Sequence, residues 1–274
     1  MPSTARKKPS SEPAPLLALG AHPDDVEFGC GAVLIQAARA GRPVHVVVCT
    51  RGEAASHGTP AVRAREARRA AALMGASFEF LILGRDAALE ARHTAARALA
   101  GLIRRLRPEL VLAPTIEGEQ HPDHVALGRI ARDAARLARF GGLAGLRGAP
   151  HALGQLFHYA VTPEAEPAGG GRAARGAPHA LGQLFHYAVT PEAEPAGGGR
   201  IVVDVSAPEV MAAWTAAMAA HASQLRTRNY VELQLARARV LGLRAGVEHA
   251  QALFPASAPV VAGLDGLTRA VRRF

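Results

Sequence analysis

Residues 16–27 read LLALGAHPDDVE, a short apolar run that ends in the polar cluster His22, Asp24 and Asp25. Such a run is typical of a buried parallel strand, because helices cover both faces of that strand and leave no side exposed. The next residues, GCGAVLIQAARAG at 29–41, predict a helix that ends near Gly41 and Pro43. The strand, the polar loop and the helix together form the beginning of a βαβ unit.

The same alternation of strand and helix patterns continues along the chain. Further strands are predicted at 44–50, 78–83, 110–113 and 200–205, and further helices at 63–74, 91–106, 125–140, 208–221 and 229–243. Strands and helices at this spacing predict an α/β fold with a Rossmann-like, mostly parallel sheet that is covered by helices on both faces.

The first residues, MPSTARKKPSSEPAP, are basic and rich in serine and proline. They predict a disordered tail over 1–14, followed by a single domain over 15–274. The tail has no apolar core of the kind that precedes a signal cleavage site, and no apolar run reaches the length of a membrane span. With only two cysteines in the chain, these features favour a protein of the reducing cytoplasm without a membrane partner.

The formal net charge of +9 makes nucleic-acid binding an obvious hypothesis. Aromatic residues, however, make up only 4% of the chain, and no nucleic-acid-binding motif is present. Most arginines fall in helical patterns such as VRAREARR and LIRRLR, where they would form solvated faces. We therefore expect no nucleic-acid partner, although the charge is compatible with a small anionic substrate.

A tandem repeat interrupts the middle of the chain: residues 147–172 recur without change at 175–200. Two identical copies do not indicate a solenoid, which needs several diverged repeats and caps. Each copy holds one strand-like segment, at 156–161 and at 184–189, for which the sheet has one place. We expect the second copy to occupy the sheet, because it runs directly into IVVDVS, and the first to be a looped-out insertion. Alternatively, the two copies could exchange with each other at this position of the sheet.

The polar cluster after the first strand offers ligands for a metal. In an open parallel sheet, ligands bind beyond the carboxyl ends of the strands, which is where His22, Asp24 and Asp25 must lie. Imidazole and carboxylate groups are donors that suit zinc. Because the side chains of adjacent residues diverge, one aspartate can bind a metal while the other faces the substrate.

A second cluster, HPDH at 121–124, follows the fourth strand and precedes a helical stretch. Pro122 suits the first turn of that helix, and His121 and His124 share one helical face. Both imidazoles can therefore point into the pocket of the first cluster. His22, Asp25 and His124 would then hold a metal and leave its fourth position for water, as in catalytic zinc sites.

The two clusters together resemble those of the PIG-L/LmbE-like zinc N-acetylglucosaminyl deacetylases. Further segments strengthen the resemblance: R-x-x-E at Arg63 and Glu66, the pair Met74-Gly75, and A-H-x-S-Q around His221. The segments SHGT at 56–59, PDH, and 229–253 are closest to the bacillithiol-biosynthesis deacetylases, which act on N-acetylglucosaminyl-malate. Two departures concern the substrate: Gln120 stands where those relatives usually have arginine, and VVAGLDGL lacks a histidine that they tend to carry.

The resemblance implies a hydrolase that uses one zinc per chain to remove the acetyl group of an N-acetylglucosamine conjugate. His22, Asp25 and His124 would hold the zinc, which activates a water molecule. Asp24 would be the general base, and His121 would stabilise the oxyanion. Either Asp24 or His121 would protonate the departing amine.

Two arginines are candidates for substrate binding. Arg63 would pair its guanidinium with a carboxylate of the substrate, or alternatively form a surface pair with Glu66. Arg51 follows the second strand and would line the pocket. His221 is more typical of a structural helix histidine than of a ligand.

Several alternatives stay open on sequence alone. The chain could be a deacetylase of another glycoconjugate or of a secondary-metabolite amide. It could also be a basic, non-catalytic binding protein, or an inactive relic of the duplication. The resemblance also allows a homo-oligomer, since the family often forms assemblies.

Overall fold

The computed structural model of the chain describes residues 13–116, 121–159, 200–226 and 229–256. Apart from residues 13 and 14, the predicted tail lies outside the described residues. The strand predicted at 184–189 in the second copy of the repeat also lies outside them.

Seven strands of the described residues form one sheet in the order β3-β2-β1-β4-β5-β7-β6. The first five strands in this order, from β3 through β2, β1 and β4 to β5, pair in parallel with their neighbours. Strand β7 runs antiparallel to both β5 and β6. The strands are β1 Leu16–Gly20, β2 Val44–Val48, β3 Ser77–Phe80, β4 Leu110–Pro114, β5 Gln155–Tyr159, β6 Ile201–Asp204 and β7 Ala250–Pro255. The predicted fold class, a mostly parallel α/β sheet, is confirmed; the last strand, β7, was not predicted.

In the part of the chain that the structure describes, six α-helices pack on the two faces of this sheet. They are α1 Asp25–Arg39, α2 Pro60–Leu73, α3 His93–Leu106, α4 Pro122–Ala138, α5 Pro208–Ala219 and α6 Tyr230–Ala245. Among the described residues, no helix is both long enough and apolar enough to cross a membrane.

Side chains of β1 alternate between the two apolar cores. Leu16 and Ala18 pack in a core with α1 and α5, whereas Leu17 and Leu19 pack in a core with α3 and α4. Successive residues of a strand point to opposite faces of its sheet, so a strand with helices on both sides must be apolar throughout. This explains why LLALG has no polar residue.

The strand order places β1 between β2 and β4. From β1 the chain builds outward to β2 and β3, and it then returns to the other side of β1 to form β4. The loops that follow β1 and β4 therefore leave the sheet in different directions and open a crevice at its carboxyl edge, where doubly wound folds bind ligands.

The first copy of the repeat contributes a strand to the sheet, so the prediction that this copy is a looped-out insertion is wrong. β5 lies in the first copy and pairs with β4 along Leu110–Pro114. Because the two copies are identical, only their connections to neighbouring elements can decide between them. Arg104 of α3 fixes the connection from α4 to β5: its guanidinium donates to the carbonyls of Ala138, Phe140, Leu146 and Gly148.

The tyrosines at equivalent positions of the two copies provide a test. Tyr159 is fully buried in β5, and its hydroxyl donates to the carbonyl of Leu19. We expect Tyr159→Ala to lower the free energy of unfolding by about 3–5 kcal/mol, as for other large-to-small core substitutions. Tyr187→Ala, the matched change in the second copy, should stay within about 0.5 kcal/mol. Urea denaturation measures both, and equal losses would mean that the copies exchange in the sheet.

Candidate metal centre and active site

The turn between β1 and α1 places two predicted ligands beside each other. Asp25 is the first residue of α1, and its Oδ2 accepts a hydrogen bond of 2.8 Å from the backbone N–H of His22. The same oxygen lies 3.5 Å from Nδ1 of the His22 ring. A carboxylate in the first turn also interacts favourably with the positive end of the helix. The turn is therefore held by the residues that would bind the metal.

The third predicted ligand comes from the start of α4. His121 caps this helix, Pro122 occupies its first position, and His124 follows one turn later. Nε2 of His124 lies 3.1 Å from Oδ1 of Asp25, and the ring centroids of His22 and His124 are 5.3 Å apart. Three imidazoles, those of His22, His121 and His124, offer nitrogen atoms within 4.8 Å of one another. The structure thus brings together the two clusters that the sequence separates by about a hundred residues.

The structure adds two carboxylates to the site, and the sequence analysis predicted no role for either of them. Nε2 of His22 lies 3.0 Å from Oδ1 of Asp86 and 3.1 Å from Oδ2 of Asp123. These two aspartates and His22 form a second compact group of possible metal donors. Asp123 lies inside the HPDH segment, and Asp86 follows β3, so the rule of strand carboxyl ends could have identified both.

Asp123 also fixes the loop between β3 and α3. Its two oxygens accept hydrogen bonds from the backbone N–H groups of Ala87 at 2.8 Å and Leu89 at 3.1 Å. Ala87 has a φ of 61°, which is unusual for a residue with a Cβ. The aspartate between the two histidines therefore organises a neighbouring loop and contacts His22 at the same time.

The buried carboxylates and imidazoles change one another's protonation. Burial lowers the pKa of His22, but Asp25, Asp123 and Asp86 raise it, so that it lies well above its ordinary value. Burial raises the pKa of Asp25, but His124 and His22 lower it well below its ordinary value. The carboxylates thus favour the protonated form of the His22 ring, so a cation that binds this ring would compete with a proton.

Asp24 turns away from its neighbour Asp25, as predicted for adjacent aspartates. It has a φ of 130°, and Oδ2 of its side chain accepts a hydrogen bond of 3.1 Å from Nη2 of Arg63. Burial raises the pKa of Asp24 to about 6, although the Arg63 guanidinium opposes the shift. A carboxyl group with such a pKa can exchange protons near neutral pH.

Arg63 is a buried residue, only 3% exposed, so the alternative of a surface pair with Glu66 is wrong. Besides Asp24, its guanidinium donates to the carbonyls of Pro23 at 2.8 Å and Gly52 at 3.1 Å. The arginine therefore orients the Asp24 carboxylate and the turn that carries it. The contact of Arg63 with substrate stays a prediction. The substrate contact of Arg51 also stays a prediction; this residue lies in the loop after β2 and is exposed.

A buried pair lies behind this site. His221 is fully buried, and its Nε2 lies 3.4 Å from Oε2 of Glu27 on α1. Burial lowers the pKa of His221, but Glu27, Asp24 and Glu66 raise it above its ordinary value. This agrees with a structural rather than a ligand role for His221. The A-H-x-S-Q segment of the sequence contains His221, but the pairing of His221 with Glu27 is visible only in the folded structure.

The donor set fits zinc. It consists of imidazole nitrogens and carboxylate oxygens on buried side chains, without a thiolate, which is the composition of hydrolytic zinc centres. Nδ1 of His124 is buried and has no hydrogen-bond partner among the described residues. The other nitrogen of that ring, Nε2, faces the Asp25 carboxylate at 3.1 Å and is the one placed to bind a cation there.

The fold and this cluster define an α/β protein with a candidate metal centre at the switch point of its sheet. The chain belongs to the PIG-L family, described as GlcNAc-PI de-N-acetylase, which matches residues 17–135. That range includes all the predicted ligands, Asp24, His121 and both arginines. The predicted family membership is confirmed.

Individual relatives agree with this assignment. The chain is 32% identical over 187 residues to 1D-myo-inositol 2-acetamido-2-deoxy-alpha-D-glucopyranoside deacetylase 2 of Catenulispora acidiphila, covering 54% of this chain and 60% of that protein. It is 31% identical over 126 residues to the uncharacterized deacetylase YaiS of Escherichia coli, covering 44% of this chain and 68% of that protein. The crystal structure of the conserved protein TT1542 from Thermus thermophilus is similar, with a TM-score of 0.72 and 31% sequence identity. The match covers 94% of this chain and 100% of that chain.

Substitution of Gly52 tests the position of Arg63. Gly52 has a φ of 66°, and an added Cβ would overlap the Arg63 guanidinium, whereas Gly41, with a φ of 82°, has nothing within 4 Å. We expect Gly41→Ala to cost about 1 kcal/mol of unfolding free energy for its left-handed backbone. Gly52→Ala should cost roughly 1–3 kcal/mol more because of the overlap. Chemical denaturation compares the two variants, and equal costs would contradict the tight packing of Arg63.

Proposed function

We propose that this protein is a zinc-dependent N-deacetylase that hydrolyses the acetamide of an N-acetylglucosamine conjugate and releases acetate and the free amine. One observation carries the proposal. Asp25 lies between His22 and His124, and the adjacent Asp24 presents a carboxyl group with a raised pKa. The family and the names of the deacetylase relatives support the same reaction class.

His22, Asp25 and His124 would hold one zinc ion per chain. When bound, zinc supplies a Lewis acid for the acetyl carbonyl and lowers the pKa of a coordinated water. The contacts of Asp25 with both imidazoles support this ligand set. Asp86 and Asp123 contact the far nitrogen of His22 and would fix the orientation of its ring.

Asp24 would act as the general base and remove a proton from the attacking water. Its pKa of about 6 in the metal-free protein favours proton exchange, and a nearby cation would lower that value. Arg63 would keep the carboxylate aimed at the site through its hydrogen bond to Oδ2. The guanidinium thereby acts on the reaction through Asp24.

His121 would stabilise the oxyanion that forms as water attacks. Its Nδ1 accepts a hydrogen bond of 3.2 Å from the backbone N–H of Asp123. A neutral ring that accepts at Nδ1 carries its hydrogen on Nε2, which makes that nitrogen a donor. His121 can therefore donate to a developing negative charge. Asp24, which has taken a proton from the water, would then give that proton to the leaving amine, because a neutral His121 ring has no acidic proton to give.

Two conjugates are candidates for the substrate. The resemblance of several sequence segments to the bacillithiol-biosynthesis enzymes favours N-acetylglucosaminyl-malate. The Catenulispora relative is named for an inositol conjugate of the same acetamido sugar, which makes such a conjugate the second candidate. Exposed Arg51 would pair with the carboxylates of a malate group.

Metal content and the Asp24→Asn variant test the mechanism. We expect the purified protein to hold close to one zinc per chain, and a chelator to abolish deacetylation. Asp24→Asn should lower kcat at least about 100-fold, because the base is lost, while the zinc content stays the same. Asp133→Asn on the surface of α4 is the matched control and should leave both unchanged. Full activity of Asp24→Asn would exclude this residue as the base.

A substrate panel separates the two conjugates. Amine release should be measured with N-acetylglucosamine, N-acetylglucosaminyl-malate and the inositol conjugate at equal concentrations. If Arg51 pairs with malate, Arg51→Gln should lower kcat/KM about tenfold for the malate conjugate and little for the other two. A uniform effect on all three substrates would remove Arg51 from the substrate site.

A further inference from the structure

Residues 51–59 form most of the connection from β2 to α2, and we refer to them as the rim loop. The loop is neither helix nor strand, so few of its backbone groups can bond within it. Hydrogen bonds from outside the loop therefore decide its position. Three of these involve the backbone of Gly52, Ala54 and His57.

The first half of the rim loop is attached to the candidate active site at two points. The carbonyl of Gly52 accepts a hydrogen bond of 3.1 Å from Arg63, whose guanidinium also holds Asp24. The N–H of Ala54 donates at 2.9 Å to Asp86, whose other oxygen lies 3.0 Å from the ring of His22. The loop therefore lies beside both the proposed base and a proposed ligand.

The second half of the rim loop is held by the A-H-x-S-Q segment. Nε2 of Gln224 donates to the carbonyl of His57 at 2.8 Å. Gly58 packs against this segment so closely that an added Cβ would lie 2.7 Å from Oγ of Ser223. Gln224 is only half-buried, so its contact with the loop adds little to the apolar core.

Glu66 of α2 gives the segment a rigid base. Its two carboxylate oxygens accept hydrogen bonds from the backbone N–H of Ser223 at 2.9 Å and from its hydroxyl at 2.6 Å. Gln224 also donates to the Ser223 hydroxyl at 2.9 Å. A continuous chain of hydrogen bonds thus runs from a buried helix residue to the far half of the rim loop.

We infer that Gln224 is a positioning residue that holds the rim loop as one wall of the substrate site, where it contacts the part of the conjugate beyond the acetamide. The acetamide must reach the buried cluster of His22, Asp25 and His124, so the rest of the conjugate extends toward the surface. Glu53 and His57 of the rim loop are half-buried and Ser56 is exposed, so all three are available to contact that part of the conjugate. As far as it concerns the substrate, this inference rests on the proposed deacetylase function.

Gln224→Met tests the inference, because methionine keeps the length of the side chain but removes the donor. Gln36→Met is the matched control: Nε2 of Gln36 likewise donates to a backbone carbonyl, that of Asp204, at 2.9 Å. Gln36 lies eleven residues after Asp25 on α1, which is about 16 Å along the helix axis. Both variants should be compared with the wild type by hydrogen exchange and by kinetics with N-acetylglucosamine and its malate and inositol conjugates.

We expect Gln224→Met to accelerate amide exchange in the rim loop and to raise KM for a conjugate roughly three- to tenfold, as loss of one hydrogen bond would. The increase for N-acetylglucosamine should be smaller, and Gln36→Met should change neither quantity. Unchanged loop exchange, or an equal rise in KM for sugar and conjugates, would overturn the inference. If the wild type released no amine from any substrate, the proposed function would fail instead, and loop exchange would still decide whether Gln224 holds the loop.

Discussion

The parallel pairing of β1 with β4 is the constraint on which the site depends. Leu16 pairs with Leu110 and Ala18 with Leu112, and this register sets where the two following loops begin. A shift of one residue would move one loop by about 3.3 Å relative to the other. That displacement exceeds the length of a zinc–nitrogen bond, about 2.0–2.1 Å. The apolar contacts of β1 with both cores therefore also fix the distance of Asp25 from His124.

Charge balance in the crevice follows from this arrangement. His22 is surrounded by the carboxylates of Asp25, Asp86 and Asp123, all close to its ring. An uncompensated buried charge costs several kcal/mol, so the group needs positive charge in its midst. A proton on His22 can provide that charge, because the surrounding carboxylates raise the pKa of this residue. A divalent cation would provide it without the proton, which links metal binding to release of a proton.

The sequence predicted the layers of the fold and the meeting of the two clusters, because both follow from short patterns. An apolar run and the polar loop after it determine a parallel strand and the edge at which its ligands lie. The burial of Arg63 and its contact with Asp24 could not be predicted in this way. The two residues are 39 positions apart, and only the packing of α2 against the turn after β1 joins them. The Arg104 contacts that fix the connection from α4 to β5 could not be predicted either, because no local pattern carries them.

The pair Asp24-Asp25 shows how adjacent residues can take opposite roles. Asp25 starts α1 and faces His124, whereas Asp24 precedes the helix with a φ of 130° and faces Arg63. A non-glycine residue in such a conformation costs about 1–3 kcal/mol and persists only where its surroundings enforce it. Arg63 supplies that enforcement, since it binds the carbonyl of Pro23 as well as the Asp24 carboxylate. The strain separates the two carboxylates, so that one can bind a cation while the other stays available for a proton.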